Sequence, residues 1–214
     1  MELATLSRAI RPRKSRRGKL RMKHAFLVAA AAFATVGLTG PACADERHYL
    51  QMRGGMSKLA PLTGTWDAIW RFYDKNGALT LARGVYTISF VLDGAYLEWK
   101  GEHERKGYVP KTYAFIIFTT FNSDANRYEQ IYFYNDWPQR VFETGAFDDR
   151  RQEFRTSAFI PREDGIHDEH VRTVLSLKGP SQMVYTHYSR YSNESRERTN
   201  LVITLTRRGA SPQS

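Results

Sequence analysis

Apolar and polar residues alternate along most of this chain, in short runs separated by turn-forming residues. Ten such runs can be drawn, at about 64–74, 79–92, 95–105, 111–121, 127–135, 139–147, 151–160, 169–177, 182–191 and 197–207. Alternation with period two is the pattern of strands that bury one face. The separators carry turn chemistry: Asp74-Lys75-Asn76-Gly77, Asp93-Gly94, Asn122 to Asn126, Asp136-Trp137-Pro138, Asp148-Asp149 and Lys178-Gly179-Pro180. Asn-Gly and Asp-Gly in particular favour the left-handed backbone of tight hairpins. The stretch from Pro161 to Asp168 is the longest separator. Consecutive strands with short turns predict an all-β, antiparallel up-and-down meander. A sheet of this length would expose two edges if left open, so it is expected to close into a single barrel.

The phase of several strands is readable. Trp66, Ala68, Trp70 and Phe72 share one face of the first strand, opposite Asp67 and Arg71; Leu97 and Trp99 share one face of the third, opposite Glu98, Lys100 and Glu102. Tyr128, Gln130, Tyr132 and Tyr134 alternate with Ile131 and Phe133 on the fifth. The fourth is apolar on both faces (Tyr113, Ala114, Phe115, Ile116, Ile117, Phe118) and is expected to be the most buried. Charged residues on the outward faces argue against an outer-membrane barrel, where each would face lipid. The polar C-terminus argues the same way.

The stretch Leu59-Ala60-Pro61-Leu62-Thr63-Gly64-Thr65-Trp66 leads into the first strand. Gly-x-Trp in that position resembles the signature of lipocalin-like (calycin) barrels, which implies that the indole plugs the closed end. The resemblance also implies a basic residue from the last strand lying over it, a part open to Arg207 or Arg208. The Leu-x-x-Leu-x-Gly-x-Trp spacing is similar to that of a family of secreted bacterial lipocalin-like proteins of unknown function, over about 57–208. A short helical turn is expected from Met56 to Leu62, with Ser57 as its N-cap.

The first 44 residues differ from the rest. They hold nine Lys/Arg and only Glu2 as an acid, then an apolar run from Ala25 to Leu38 and Ala42-Cys43-Ala44. This is the layout of a secretory signal peptide cleaved near Ala44; a start at Met22 would give it an ordinary length. The expected organisation is signal peptide 1–44, flexible linker 45–56, barrel 57–208 and disordered tail 209–214, placing the protein in the periplasm or outside the cell.

Cleavage changes the electrostatics. The whole chain has 32 basic and 22 acidic residues, net +10; dropping the nine and the one leaves 23 and 21, net +2. The apparent basicity therefore does not mark a nucleic-acid surface. Cys43 is the one cysteine, so the barrel must stand without a disulfide.

Candidate chemistry centres on the aromatic residues. Trp66, Trp70, Trp99, Tyr132, Tyr134, Phe142, Tyr185 and His187 are the candidate lining of an interior that binds a small apolar or aromatic molecule. The competing possibility is that these rings fill the barrel and leave no cavity. His187 could hold a haem iron; otherwise no cofactor is expected. His167 and His170, with Asp164, Asp168 and Glu169, make a polar corner without a metal-binding spacing. An internal acid–base pair of Glu98 and Arg172, as in cofactor-free barrel lyases or isomerases, conflicts with the alternation, which turns both outward into a weak surface pair. No nucleophile elbow, phosphate loop or zinc motif is present. The expected function is ligand binding without chemistry, with a cofactor-independent enzyme or a packed envelope module as alternatives. Oligomeric state and ligand identity are not written in the pattern.

Overall fold

The computed structural model describes residues 42–104, 111–136, 140–162 and 168–209, with side chains from Asp45 onward. Ten antiparallel strands follow one another in chain order and close into a barrel by pairing the first with the last. They are β1 (Gly64–Tyr73), β2 (Leu79–Val91), β3 (Tyr96–Glu104), β4 (Thr112–Asn122) and β5 (Arg127–Tyr134). Then come β6 (Val141–Asp148), β7 (Glu153–Ile160), β8 (Glu169–Leu177), β9 (Gln182–Tyr191) and β10 (Arg198–Arg207). Each strand lies where the alternation predicts it. Closure removes both sheet edges, so every strand is paired on both sides.

An up-and-down order sends alternate connections to opposite ends. The turns after β2, β4, β6 and β8 lie at the end where β1 begins. A helix, α1 (Ala42–Ser57), and a 3-10 turn (Ala60–Leu62) cover that end. Met56, Leu59 and Leu62 are fully buried there against Trp66, Leu97 and Met183. The connections after β1, β3, β5, β7 and β9 leave from the other end, which is the mouth.

Three expectations need correction here. Residues 45–56 form most of α1, not a flexible linker. The segment holds strong helix formers (Glu46, Arg47, Leu50, Gln51, Met52), and docking outweighs the helix-weakening Gly54-Gly55 pair. Tyr128 donates its hydroxyl to the Gly55 carbonyl at 2.6 Å, His48 lies 2.8 Å from Asp124, and Lys58 pairs with Asp149 at 2.6 Å. Ser57 is not an N-cap: it lies in the last turn and donates to the Gly54 carbonyl at 2.8 Å. Nor is β4 the most buried strand, a place taken by β8. Phe115, Ile117 and Thr119 face inward, but Ile116 is 37% exposed. Its second apolar face belongs to an outer strip, in which Phe118 sits beside Ile131 and Ile131 beside Phe142. Tyr96 and Phe133 stand edge-on to Phe118, at 6.5 and 6.3 Å between ring centres.

At the closed end Gly64 has φ of +129°, a region that L side chains avoid. A Cβ there would also stand 2.5 Å from an Arg207 guanidinium nitrogen. Glycine thus lets Arg207 cross the strand and reach the indole two residues on. Arg207 lies over Trp66 with 4.1 Å from Cζ to the ring centre, and donates to the carbonyls of Pro61, Thr63 and Pro180. The indole N–H of Trp66 donates to Leu62 O at 2.9 Å. Arg207, then, takes the position over the indole; Arg208 turns outward to Asp67.

Candidate functional site

Above this floor the interior is not filled. A cavity of about 350 Å³ lies inside the barrel between the floor and the mouth. One wall is aromatic. Trp70 stacks on Tyr86 at 5.3 Å, and His103 lies 4.8 Å from Trp70 and 5.4 Å from Phe72. Tyr113 continues it, 5.0 Å from His103 and 5.8 Å from Tyr134, whose ring stacks on Tyr132 at 6.1 Å.

A chain of hydrogen bonds runs from strand to strand along the interior, from β3 to β8. The Trp99 indole N–H on β3 and the Gln130 amide on β5 both donate to Thr119 Oγ1 on β4, at 3.0 and 2.7 Å. Tyr132 on β5 sends its hydroxyl toward Gln130 Oε1 (3.2 Å) and Glu143 Oε2 on β6 (3.0 Å). Thr156 on β7 also donates to Glu143 and lies 2.5 Å from Thr173 on β8. His187 on β9 is the cross-strand neighbour of Thr173. The antiparallel register builds this belt, because residues directly opposite one another point to the same face.

Glu143 is 2% exposed. Burial pushes its carboxyl pKa up, opposed by hydrogen bonds from Thr156, Tyr132 and Thr173. Burial likewise raises the phenols of Tyr132 and Tyr185 well above their ordinary value, with the Glu143 charge adding to both. His187 moves the other way: burial lowers its pKa against the pull of Glu169, so it is a neutral imidazole at neutral pH. Glu169, the other buried carboxylate among the described residues, pairs with Arg162 at 2.7 Å near the mouth.

The structure divides the residues singled out from sequence. Trp70, Trp99, Tyr132, Tyr134, Tyr185 and His187 line the cavity. Trp66 lies beneath it as part of the floor. Phe142 is on the outside, 53% exposed, and β6 instead turns Val141 and Glu143 inward. That correction follows from pairing: Gln130 stands opposite Glu143 and Ile131 opposite Phe142, so the inward phase of β5 fixes that of β6. Glu98 and Arg172 face outward but do not pair with each other. Glu98 meets Lys100 at 2.8 Å; Arg172 meets Glu197 at 2.6 Å and lies 3.9 Å over the Tyr188 ring.

His170 is exposed and packs on Phe159 outside the barrel, while Asp164 and His167 fall outside the described residues. Among the described residues no cluster of three His, Cys, Asp or Glu could hold a metal, and no helix is long and apolar enough to cross a membrane. The two imidazoles facing the cavity, His103 and His187, are the side chains that could meet a metal-centred group such as haem. His103, Thr119, Thr156, Thr173 and above all Glu143 were not anticipated. For His103 the signal existed, since it continues the inward series Leu97, Trp99, Gly101. For Glu143 the register with Gln130 was needed.

No family model matches the chain, and no curated protein matches it. Among solved structures it resembles the S-type phycobiliprotein lyase CPES of Guillardia theta, at 11% identity and a TM-score of 0.50, over 77% of this chain and 98% of that one. At such identity the likeness speaks for the barrel fold and for nothing finer.

Proposed function

We propose that this chain is an exported barrel that holds a small aromatic or apolar molecule in its interior and performs no covalent chemistry on it. The observation that carries the proposal is the cavity itself: about 350 Å³, walled by rings and by one ordered line of hydrogen-bonding groups. Rings supply contact area at low entropic cost and a few fixed polar groups supply orientation, the usual division of labour in small-molecule sites. The leader-like first 44 residues support export. The barrel neighbour is named as a lyase of phycobiliproteins, which fits a barrel interior that receives a small molecule.

A second reading, a cofactor-independent lyase or isomerase, is favoured by one contact. A carboxyl of raised pKa 3.0 Å from a phenol, Glu143 to Tyr132, is an arrangement able to pass a proton. A role as an envelope interaction module would use the outer strip of Ile116, Phe118, Phe133 and Phe142 instead.

Native mass spectrometry of the protein purified from its own envelope, with an absorption spectrum, tests the main reading. An extra mass lost on denaturation is expected. A Soret band would identify a haem on one of the two imidazoles and turn the assignment from binder to haem protein. A bare mass, together with no binding of any aromatic probe, would overturn the proposal.

A further inference from the structure

We infer that the interior site takes a cationic ligand, an aromatic or apolar body carrying a protonated nitrogen directed at the Tyr132–Glu143 corner. The inference rests on the ligand-binding function proposed above and names the chemical class of what is bound. Three observations converge on it.

The first is the wall. Trp70, Trp99, Tyr86, Tyr113, Tyr132 and Tyr185 turn rings to one cavity. The face of each ring carries the negative part of its quadrupole, and a cavity shielded from water strengthens its attraction for a cation.

The second is charge balance. Among the described residues two carboxylates are buried and face inward, and they are treated differently. Glu169 receives a cation from the protein itself, Arg162 at 2.7 Å. The side-chain partners of Glu143 are hydroxyls, those of Tyr132, Thr156 and Thr173. No Lys or Arg is among the described residues that line the cavity. Neither imidazole is among the side chains that hydrogen-bond Glu143, and His187 is held neutral by burial and couples to Glu169. A buried carboxylate without a partner charge is costly. A ligand ammonium would supply that charge.

The third is direction. Tyr132 has one phenolic proton and two acceptors for it, Gln130 Oε1 and Glu143 Oε2. The proton is committed to the protein. Tyr185 also hydrogen-bonds Tyr132, and with the Tyr132 proton committed it is Tyr185 that donates, so the lone pairs left to the cavity are those of the Tyr185 oxygen and this corner accepts hydrogen bonds.

Isothermal titration calorimetry of the full chain with 1-naphthylmethylamine and its neutral counterpart 1-naphthylmethanol, both at neutral pH, tests the inference. The bodies are matched, and only the nitrogen charge differs. The amine is expected to bind about tenfold or more tighter, the scale of a desolvated cation–π contact joined to a charge-assisted hydrogen bond. Glu143→Gln keeps shape and hydrogen bonding and should bring the amine down to the alcohol. If that variant does not fold, Tyr132→Phe replaces it and should lose most of the preference. Equal or better binding of the alcohol by the wild type would overturn the cationic assignment and leave the small-molecule function standing. A preference that survives both substitutions would overturn the role of this corner. Failure of both probes to bind would take the small-molecule function down with it.

Discussion

Glu143 illustrates how one side chain can set both stability and selectivity. Its folded pKa is raised from an ordinary value of 4.5 by burial. Below pH 4.5 the carboxyl is protonated whether the chain is folded or not. As pH rises from there, the unfolded chain releases its proton first, so the folded form loses relative stability until pH passes the raised folded value. Glu143→Gln has no such titration. Urea melts of the two proteins from pH 4 to pH 8 should therefore show the variant gaining on the wild type as pH rises. A constant difference across the series would mean that Glu143 is not desolvated as the structure has it. At this same scale the sequence was most informative where a residue's neighbours were unambiguous. Trp70 and Trp99 could be placed because charged residues flank them on the opposite face. Glu143 could not, because a lone glutamate between Phe142 and Thr144 looks like a solvent-facing residue until its cross-strand partner is known.

At the scale of elements, the strands and their order were legible because each turn is chemically marked and each strand alternates. What escaped was phase wherever both faces are apolar. In β4, Phe115 and Ile117 serve the cavity while Ile116 and Phe118 serve the outer strip, and composition alone cannot tell one apolar face from another. The helix α1 escaped for a related reason: its stability comes from contacts at the barrel floor rather than from its own pattern. Two adjacent glycines in it separate these effects. A Cβ at Gly55 would stand 2.3 Å from the Phe121 ring, whereas nothing lies within 4 Å of one at Gly54. Gly55→Ala is expected to cost about 1–3 kcal/mol through overpacking. Gly54→Ala should stabilise by roughly 0.5–1 kcal/mol, the helical advantage of alanine over glycine. Chemical denaturation of both variants checks the pair, and similar effects from the two would mean that α1 is not docked by this face.

For the molecule as a whole, the arrangement separates permanence from exchange. The end where β1 begins is closed by the buried side chains of Met56, Leu59, Leu62 and Trp66, and Arg207 ties the last strand to the segment that precedes the first. The cavity and the hydrogen-bonded belt lie above this floor. Stability thus resides mainly in the closed end, which leaves the barrel free to keep an unfilled interior that packing alone would close.

The even number of strands has one more consequence. Because β1 starts and β10 ends on the floor side, the chain enters and leaves the barrel at the same pole. Anything fastened directly after β10, whether a bead, a fluorophore or another polypeptide, holds the barrel by its base and leaves the opening pointing away. A protein immobilised through its C-terminus should take up an aromatic amine as readily as it does in free solution. One anchored through the Asp74–Gly77 turn, which sits at the rim, should take it up more slowly; surface plasmon resonance on the two orientations would read the difference directly. The barrel is in that sense a cup with its handle underneath.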